Sequence, residues 1–233
     1  AGRLWGERTD GAARKALRNA LWRLRRALEG VDGGRAADEI VQADDLQVGL
    51  GEEGVWVDAG EFRHHAALLP ADGWEAPAPG GVAALRRAAT LYRGDLLDEI
   101  YEPWAAERRE ELHLLHLDVL EALFRYEERA GNLRAAVTRA RTLLRHDPLV
   151  ERVHRGLMRC HWRMGDRPLA VRQYRRLETA LREELDLEPM ARTRALLERI
   201  LQGEEPPEGP TSPPHSWRSA SMGSTRDARS AGR

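Results

Sequence analysis

The 233 residues are 42% hydrophobic and 32% charged, with a formal net charge of −1, enough for one or two domains with a sizeable core and far from a strongly basic or acidic chain. No stretch approaches the roughly eighteen consecutive apolar residues of a membrane span, and residues 1–10 do not have the basic start and apolar run of a secretory signal, so no membrane partner is expected. The one cysteine, Cys160, excludes an internal disulfide framework and suits a reducing cytoplasm.

Charge is unevenly spread. Residues 1–30 carry eight Lys and Arg against three Asp and Glu, and Lys15 is the only lysine of the chain. Gly11 to Leu28 predicts a helix, because Leu17, Leu21, Leu24 and Leu28 recur at intervals of four, three and four and form one apolar stripe. At about 100° per residue, Lys15, Asn19, Trp22 and Arg26 fall on the opposite side, flanked by Arg18 and Arg23. Gly30, Gly33 and Gly34 end this helix. Short aliphatic and β-branched runs follow at Glu39–Val41, Leu46–Leu50 and Val55–Val57, with turns at Asp44-Asp45 and Gly51–Gly54. They predict two or three short strands in a hairpin.

From Glu61 the strand pattern stops. Helices are expected at 61–69, 82–92, 104–130, 133–146, 149–164, 167–185 and 190–202, with a surface loop at 72–81. Pro103 suits the start of the long helix. A repeat lies within this region. Gly131-Asn132 and Gly165-Asp166 are 34 residues apart, and the same offset pairs Ala136 with Ala170, Val137 with Val171, Ala140 with Tyr174 and Leu123 with Leu157. A helix–turn–helix period of 34 is the tetratricopeptide spacing: small residues let paired helices approach, and glycine frees the turn between them. Two such units leave outer faces that flanking helices must cap. Residues 204–233 are rich in Pro, Ser, Gly and Arg and are expected to be a disordered tail.

Several motifs have chemical and structural readings to weigh. The exposed side of the first helix has the composition of a recognition helix for the DNA major groove, with the hairpin as a wing; its structural reading is a solvated amphipathic helix. Gly49-Leu50-Gly51-Glu52-Glu53-Gly54 matches G-x-G-x-x-G, but a strand-like run follows where a phosphate site needs a helix N-terminus. His113 and His116 have no third ligand nearby in sequence, and no metal is expected. Cys160 and His161 are adjacent on a helix and face about 100° apart, which does not make a nucleophile–base pair. No catalytic residue and no cofactor are expected.

The residues also carry a family resemblance. Leu91-Tyr92-Arg93-Gly94-Asp95-Leu96-Leu97, Trp104, Glu107-Arg108, Gly131-Asn132-Leu133, His146-Asp147-Pro148-Leu149, Gln173-Tyr174, Leu181, Glu184-Leu185, Glu188-Pro189 and Thr193 stand in this order. They resemble the bacterial transcriptional activator domain of the Streptomyces antibiotic regulatory protein family, over about 59–202. Leu4-Trp5-Gly6 and residues 12–28 are similar to the end of the second helix and the recognition helix of the winged helix that precedes that domain in the family. Val55-Trp56-Val57-Asp58 is similar to the last wing strand. The resemblance implies a mainly α fold: a tetratricopeptide-like right-handed helical array at 59–203, preceded at 1–58 by a partial winged helix (recognition helix 11–29, wing hairpin 39–58). It also implies a fragment lacking the opening sheet and first helix, and a transcriptional activator. Its partners would be double-stranded promoter DNA, as direct repeats, RNA polymerase and a second copy in a homodimer. Candidate DNA contacts are Lys15, Arg18, Asn19, Trp22, Arg23 and Arg26. The rival expectation is a peptide-binding helical-repeat scaffold without DNA binding.

Overall fold

The computed structural model describes residues 9–29, 37–44, 47–51, 55–70 and 79–204. The glycines at 30, 33 and 34, Asp45, Leu46, residues 52–54, most of the 72–81 loop and the tail from 205 lie outside these residues, as do Leu4-Trp5-Gly6.

The first helix, α1, spans Asp10–Leu28. Asp10 sits in its first turn and Arg25 and Arg26 in its last, each at the end its charge favours. The leucine stripe is less covered than its pattern predicts. Ala13 is buried and Leu17, Leu21 and Leu28 are half-buried, but Leu24 is exposed. The described neighbours of α1 are small: the four-residue helix α2 (Ala37–Ile40) and the strands β1 (Val41–Ala43) and β2 (Val48–Leu50). The strands pair antiparallel, Val41 opposite Leu50 and Ala43 opposite Val48. The hairpin is therefore shorter than the sequence predicts. Glu39 and Ile40 are helical, and Val55–Val57, extended at Val57, has no ladder partner among the described residues. Asp44 closes the turn by accepting from the Gln47 amide at 2.6 Å, the local side-chain bond that favours Asp at such positions.

The remaining helices are α3 (Asp58–Ala66), α4 (Pro79–Leu91), α5 (Pro103–Arg129), α6 (Leu133–His146), α7 (Glu151–Arg163), α8 (Arg167–Leu185) and α9 (Ala191–Gln202). Each packs on its neighbour in sequence, from α3·α4 to α8·α9. The long α5 joins two cores. Leu112, Val119 and Leu123 face Phe62, Ala66, Val82 and Leu85 of α3 and α4. Leu117, Leu120 and Phe124 face Ala136, Ala140, Val153 and Leu157 of α6 and α7. These positions recur at three, four or seven residues on two sides of one helix, which is how a single α-helix serves two layers. A third core joins Met158, Ala170 and Tyr174 to Leu196 and Ile200 of α9.

The 34-residue offset is visible in the backbone. Gly131 and Gly165 have φ of 78° and 79°. The Asn132 amide donates to Glu127 O and the Asp166 amide to His161 O, both at 2.9 Å. This is the same six-to-one closure of a helix end, and it needs a residue in the left-handed region. Between α4 and α5, Arg109 holds the loop: its guanidinium donates to the carbonyls of Leu96, Leu97 and Ile100. Among the described residues no helix is long and apolar enough to cross a membrane.

Candidate nucleic-acid interface

Lys15, Arg18, Asn19, Trp22, Arg23 and Arg26 are all exposed on α1. The helix therefore brings the six candidates onto one solvent-facing side, as its periodicity predicts. Trp22 is 60% exposed, and the Arg26 guanidinium lies over its ring at 5.3 Å, a cation–π contact. The two form a flat, cationic surface element.

Arg25 does something different, which the sequence reading missed. Its Nη2 donates to Val41 O at 2.9 Å, and its Nε lies 2.8 Å from Asp38 Oδ1. It ties α1 to the hairpin and fixes where the hairpin sits beside the exposed face. The signal was available: position 25 is four residues after Leu21 and three before Leu28, so it falls on the stripe side. The Arg23-Leu24-Arg25-Arg26 run hid it among solvent-facing arginines.

The other motifs resolve as structure. Gly51 sits so close to Glu39 that a Cβ would lie 2.2 Å from its carbonyl oxygen, and its amide donates to Ile40 O at 2.9 Å. The glycine serves a backbone approach that closes the hairpin. His116 stacks on Tyr92, with ring centroids 4.1 Å apart. Burial, helped by the charges of His113, His146 and Arg139, pushes its pKa down to about 4. His113 lies 3.3 Å from the Tyr92 hydroxyl, which donates to Asp95 Oδ1 at 2.9 Å. Burial and that contact to Asp95 drive the tyrosine pKa up. Among the described residues no three His, Cys, Asp or Glu side chains converge as metal ligands. His154 ties α7 to its surroundings, with Nε2 2.9 Å from Pro148 O while Gln173 Nε2 donates to Nδ1 at 2.7 Å. Cys160 is buried, and burial and the Glu128 charge push its thiol up to about 12, so it is not a thiolate near neutral pH.

A second unforeseen feature is ionic. Arg159 grips Glu128 with two hydrogen bonds of 2.6 and 3.0 Å, and Arg152 grips Glu121 with two of 2.7 and 2.8 Å. Burial raises the Glu121 pKa, but the bond from Arg152 and the charges of Arg125 and Arg152 more than offset this and hold it at about 2. Glu151 accepts from Arg155, from Thr193 and from the Met190 amide. Ion pairs thus join α5 to α7, and hydrogen bonds from Thr193 and the Met190 amide join α7 to α9.

With this geometry in place, the comparisons with known proteins are specific. The model of the bacterial transcriptional activator domain matches residues 57–201. The regulatory protein AfsR of Streptomyces coelicolor is 29% identical over 213 residues, covering 86% of this chain and 20% of AfsR. The solved structure titled Mycobacterium tuberculosis EmbR in complex with low affinity phosphopeptide superposes with a TM-score of 0.61 at 25% identity, covering 87% of this chain and 53% of that one. The chain thus spans about a fifth of AfsR and about half of the EmbR chain. Since the domain model covers more than half of its residues, the chain belongs to the bacterial transcriptional activator domain family, among regulators like the Streptomyces antibiotic regulatory proteins.

Proposed function

We propose that the chain is the DNA-reading and activating part of a transcriptional regulator. In this reading α1 enters the major groove of promoter DNA, with the β1–β2 hairpin as a wing on the adjacent backbone. Arg18, Arg23, Arg26 and Lys15 meet phosphates and guanine edges, Asn19 is suited to an adenine edge, and Trp22 packs against sugar or a thymine methyl. The observation that carries it is the shared exposure of these six residues on one side of a helix that Arg25 locks to a hairpin. The helical module from α3 to α9 contacts RNA polymerase or pairs two copies. Promoter DNA as partner puts the protein in the cytoplasm, and regulation needs no cofactor or bond-making step here.

The test is a duplex selected from a random pool on the wild-type chain, titrated at several salt concentrations. Arg18→Ala and Arg26→Ala are each expected to reduce the salt slope by about 1 where they meet a phosphate, or to cost about 1–3 kcal/mol and relax one position where they meet a base. Variants that keep wild-type affinity, slope and sequence preference remove those residues from the interface.

A further inference from the structure

The arginines outside α1 divide into two kinds. Arg152, Arg155 and Arg159 of α7 are bonded to Glu121, Glu151 and Glu128. Those on the outer sides of α6 and α8 are not. Leu133–His146 holds no Asp or Glu, and α8 runs from Arg167 to Leu177 before its first acid, Glu178. Along α6, Arg134, Thr138, Arg141 and Arg145 follow intervals of four, three and four, so they share an arc of about 60°. All four are exposed, while Ala136, Ala140 and Leu143 on the other side are buried in the core. On α8, Arg172, Arg175 and Arg176 are exposed above buried Ala170, Tyr174 and Leu177. None of these six guanidinium groups pairs with a carboxylate among the described residues.

One helix, α7, lies against both stripe-bearing helices, α6 and α8, and its buried His161 feels both. Burial and then the charge of Arg141 lower the imidazole pKa, Asp166 opposes them, and Arg176 adds to the lowering. Exposed like charges with no carboxylate partner among the described residues repel one another, and a partner rich in negative charge relieves that repulsion.

The composition says which polyanion fits. Protein–protein interfaces centre on apolar and aromatic anchors with a polar rim. Among the described residues, the exposed large hydrophobic side chains include none from α6 and, on α8, only Leu185 at its end. The face offers arginine and threonine, the residue types that meet phosphate oxygens, with the exposed Glu183 on the same side two turns beyond Arg176. A second copy docking by the same face would set arginine against arginine. The geometry points to the outer face of α6 and α8 as a second, sequence-independent contact for the sugar–phosphate backbone of duplex DNA, beside the contact proposed for α1. It rests on that proposal only for the presence of duplex DNA.

The experiment measures the full chain on a mixed-sequence duplex across a salt series, with a thermal melt of each variant as the folding check. Arg134→Gln, Arg141→Gln and Arg145→Gln are combined, and so are the three Arg→Lys changes. Since each duplex phosphate contact contributes about 0.9 to the slope, the Gln triple is expected to lower it by about 2 to 3 and weaken low-salt binding at least ~10-fold. The Lys triple keeps most of the slope, because a point charge is retained. An Arg18→Ala/Arg26→Ala variant still shows the α6-dependent part. If it matches wild type even on the selected duplex while the Gln triple is impaired, the α1 reading fails and this one stands. A Gln triple with wild-type slope overturns the proposal. So does a wild-type chain that binds no duplex. Competition by polyglutamate equal to that of duplex of the same charge also overturns it, and makes the face a dock for an acidic polypeptide.

Discussion

Gly156 lets α7 pack tightly on the Phe124 ring of α5. A Cβ there would lie 2.3 Å from Phe124 Cζ and 2.9 Å from Cε1. Phe124 is buried among Leu120, Leu157 and Val153, so the ring has nowhere to go. Gly156→Ala is expected to destabilise the fold by about 1–3 kcal/mol, the range for overpacking a filled core, read as a lower urea midpoint with unchanged slope. His116 sets a pH dependence. Its folded-state pKa of about 4 lies below the ordinary 6.5, so the unfolded chain takes up the proton first. Its stabilising effect is complete above pH 6.5 and is lost as pH falls toward 4. His146, His154 and His161, also lowered chiefly by burial, act in the same direction. Glu121, held at about 2 against an ordinary 4.5, acts in a lower window: its contribution is present above 4.5 and lost toward pH 2. Among the described residues the His116 Nδ1 has no hydrogen-bond partner, and the ring stacks on Tyr92, so Phe fits its role without titrating. His116→Phe is expected to melt near wild type at pH 7.5 and to lose less stability between pH 6.5 and 4.5. An unchanged melting-against-pH slope would show that His116 is not the titrating group.

At the scale of elements, the ends of helices explain why the 34-residue pattern was readable. Gly131 and Gly165 both occupy the left-handed region, and the chain restarts at once as α6 and α8. Asp166 caps α8 by accepting from the Leu169 amide at 3.0 Å. Asp166→Ala is expected to cost about 1 kcal/mol, the usual value of such a cap, seen as an earlier thermal midpoint; no change would mean that Pro168 and packing alone start the helix. The helices from α3 onward were legible because each buries a stripe at helical spacing. The N-terminal strands were not. Glu39 and Ile40 read as strand but end a one-turn helix, and Val55–Val57, rich in β-branched residues, has no ladder partner among the described residues. Short apolar runs have no period of their own, and whether they pair depends on what lies beside them. The outward side of α1 was legible from spacing alone. Arg25 was not, because its role depends on where the hairpin carbonyl of Val41 comes to rest.

For the whole molecule, α9 is the closing layer. Leu196 and Ile200 cover Met158, Ala170 and Tyr174, and Thr193 reaches Glu151 and Arg155 across the interface. Ile200 is fully buried, so Ile200→Ala is expected to cost about 2–5 kcal/mol, measured as loss of stability with faster hydrogen exchange in α7 and α8 than in α3 and α4. Equal loss throughout would mean that the stack unfolds as a single unit rather than from its end. The sequence by itself determined the helical class, the repeat and its turns, the family, and which side of α1 faces solvent. All of these are set by spacing along one helix or by residue types that single φ values demand. Only the tertiary structure decided the rest: that Arg152, Arg155 and Arg159 are paired with carboxylates while Arg134, Arg141 and Arg176 are exposed with no carboxylate partner among the described residues, and that Gly51 and Gly156 serve close approach. Burial and pairing are properties of what a neighbouring element brings to a side chain, and a chain rich in arginine writes both kinds with the same letter.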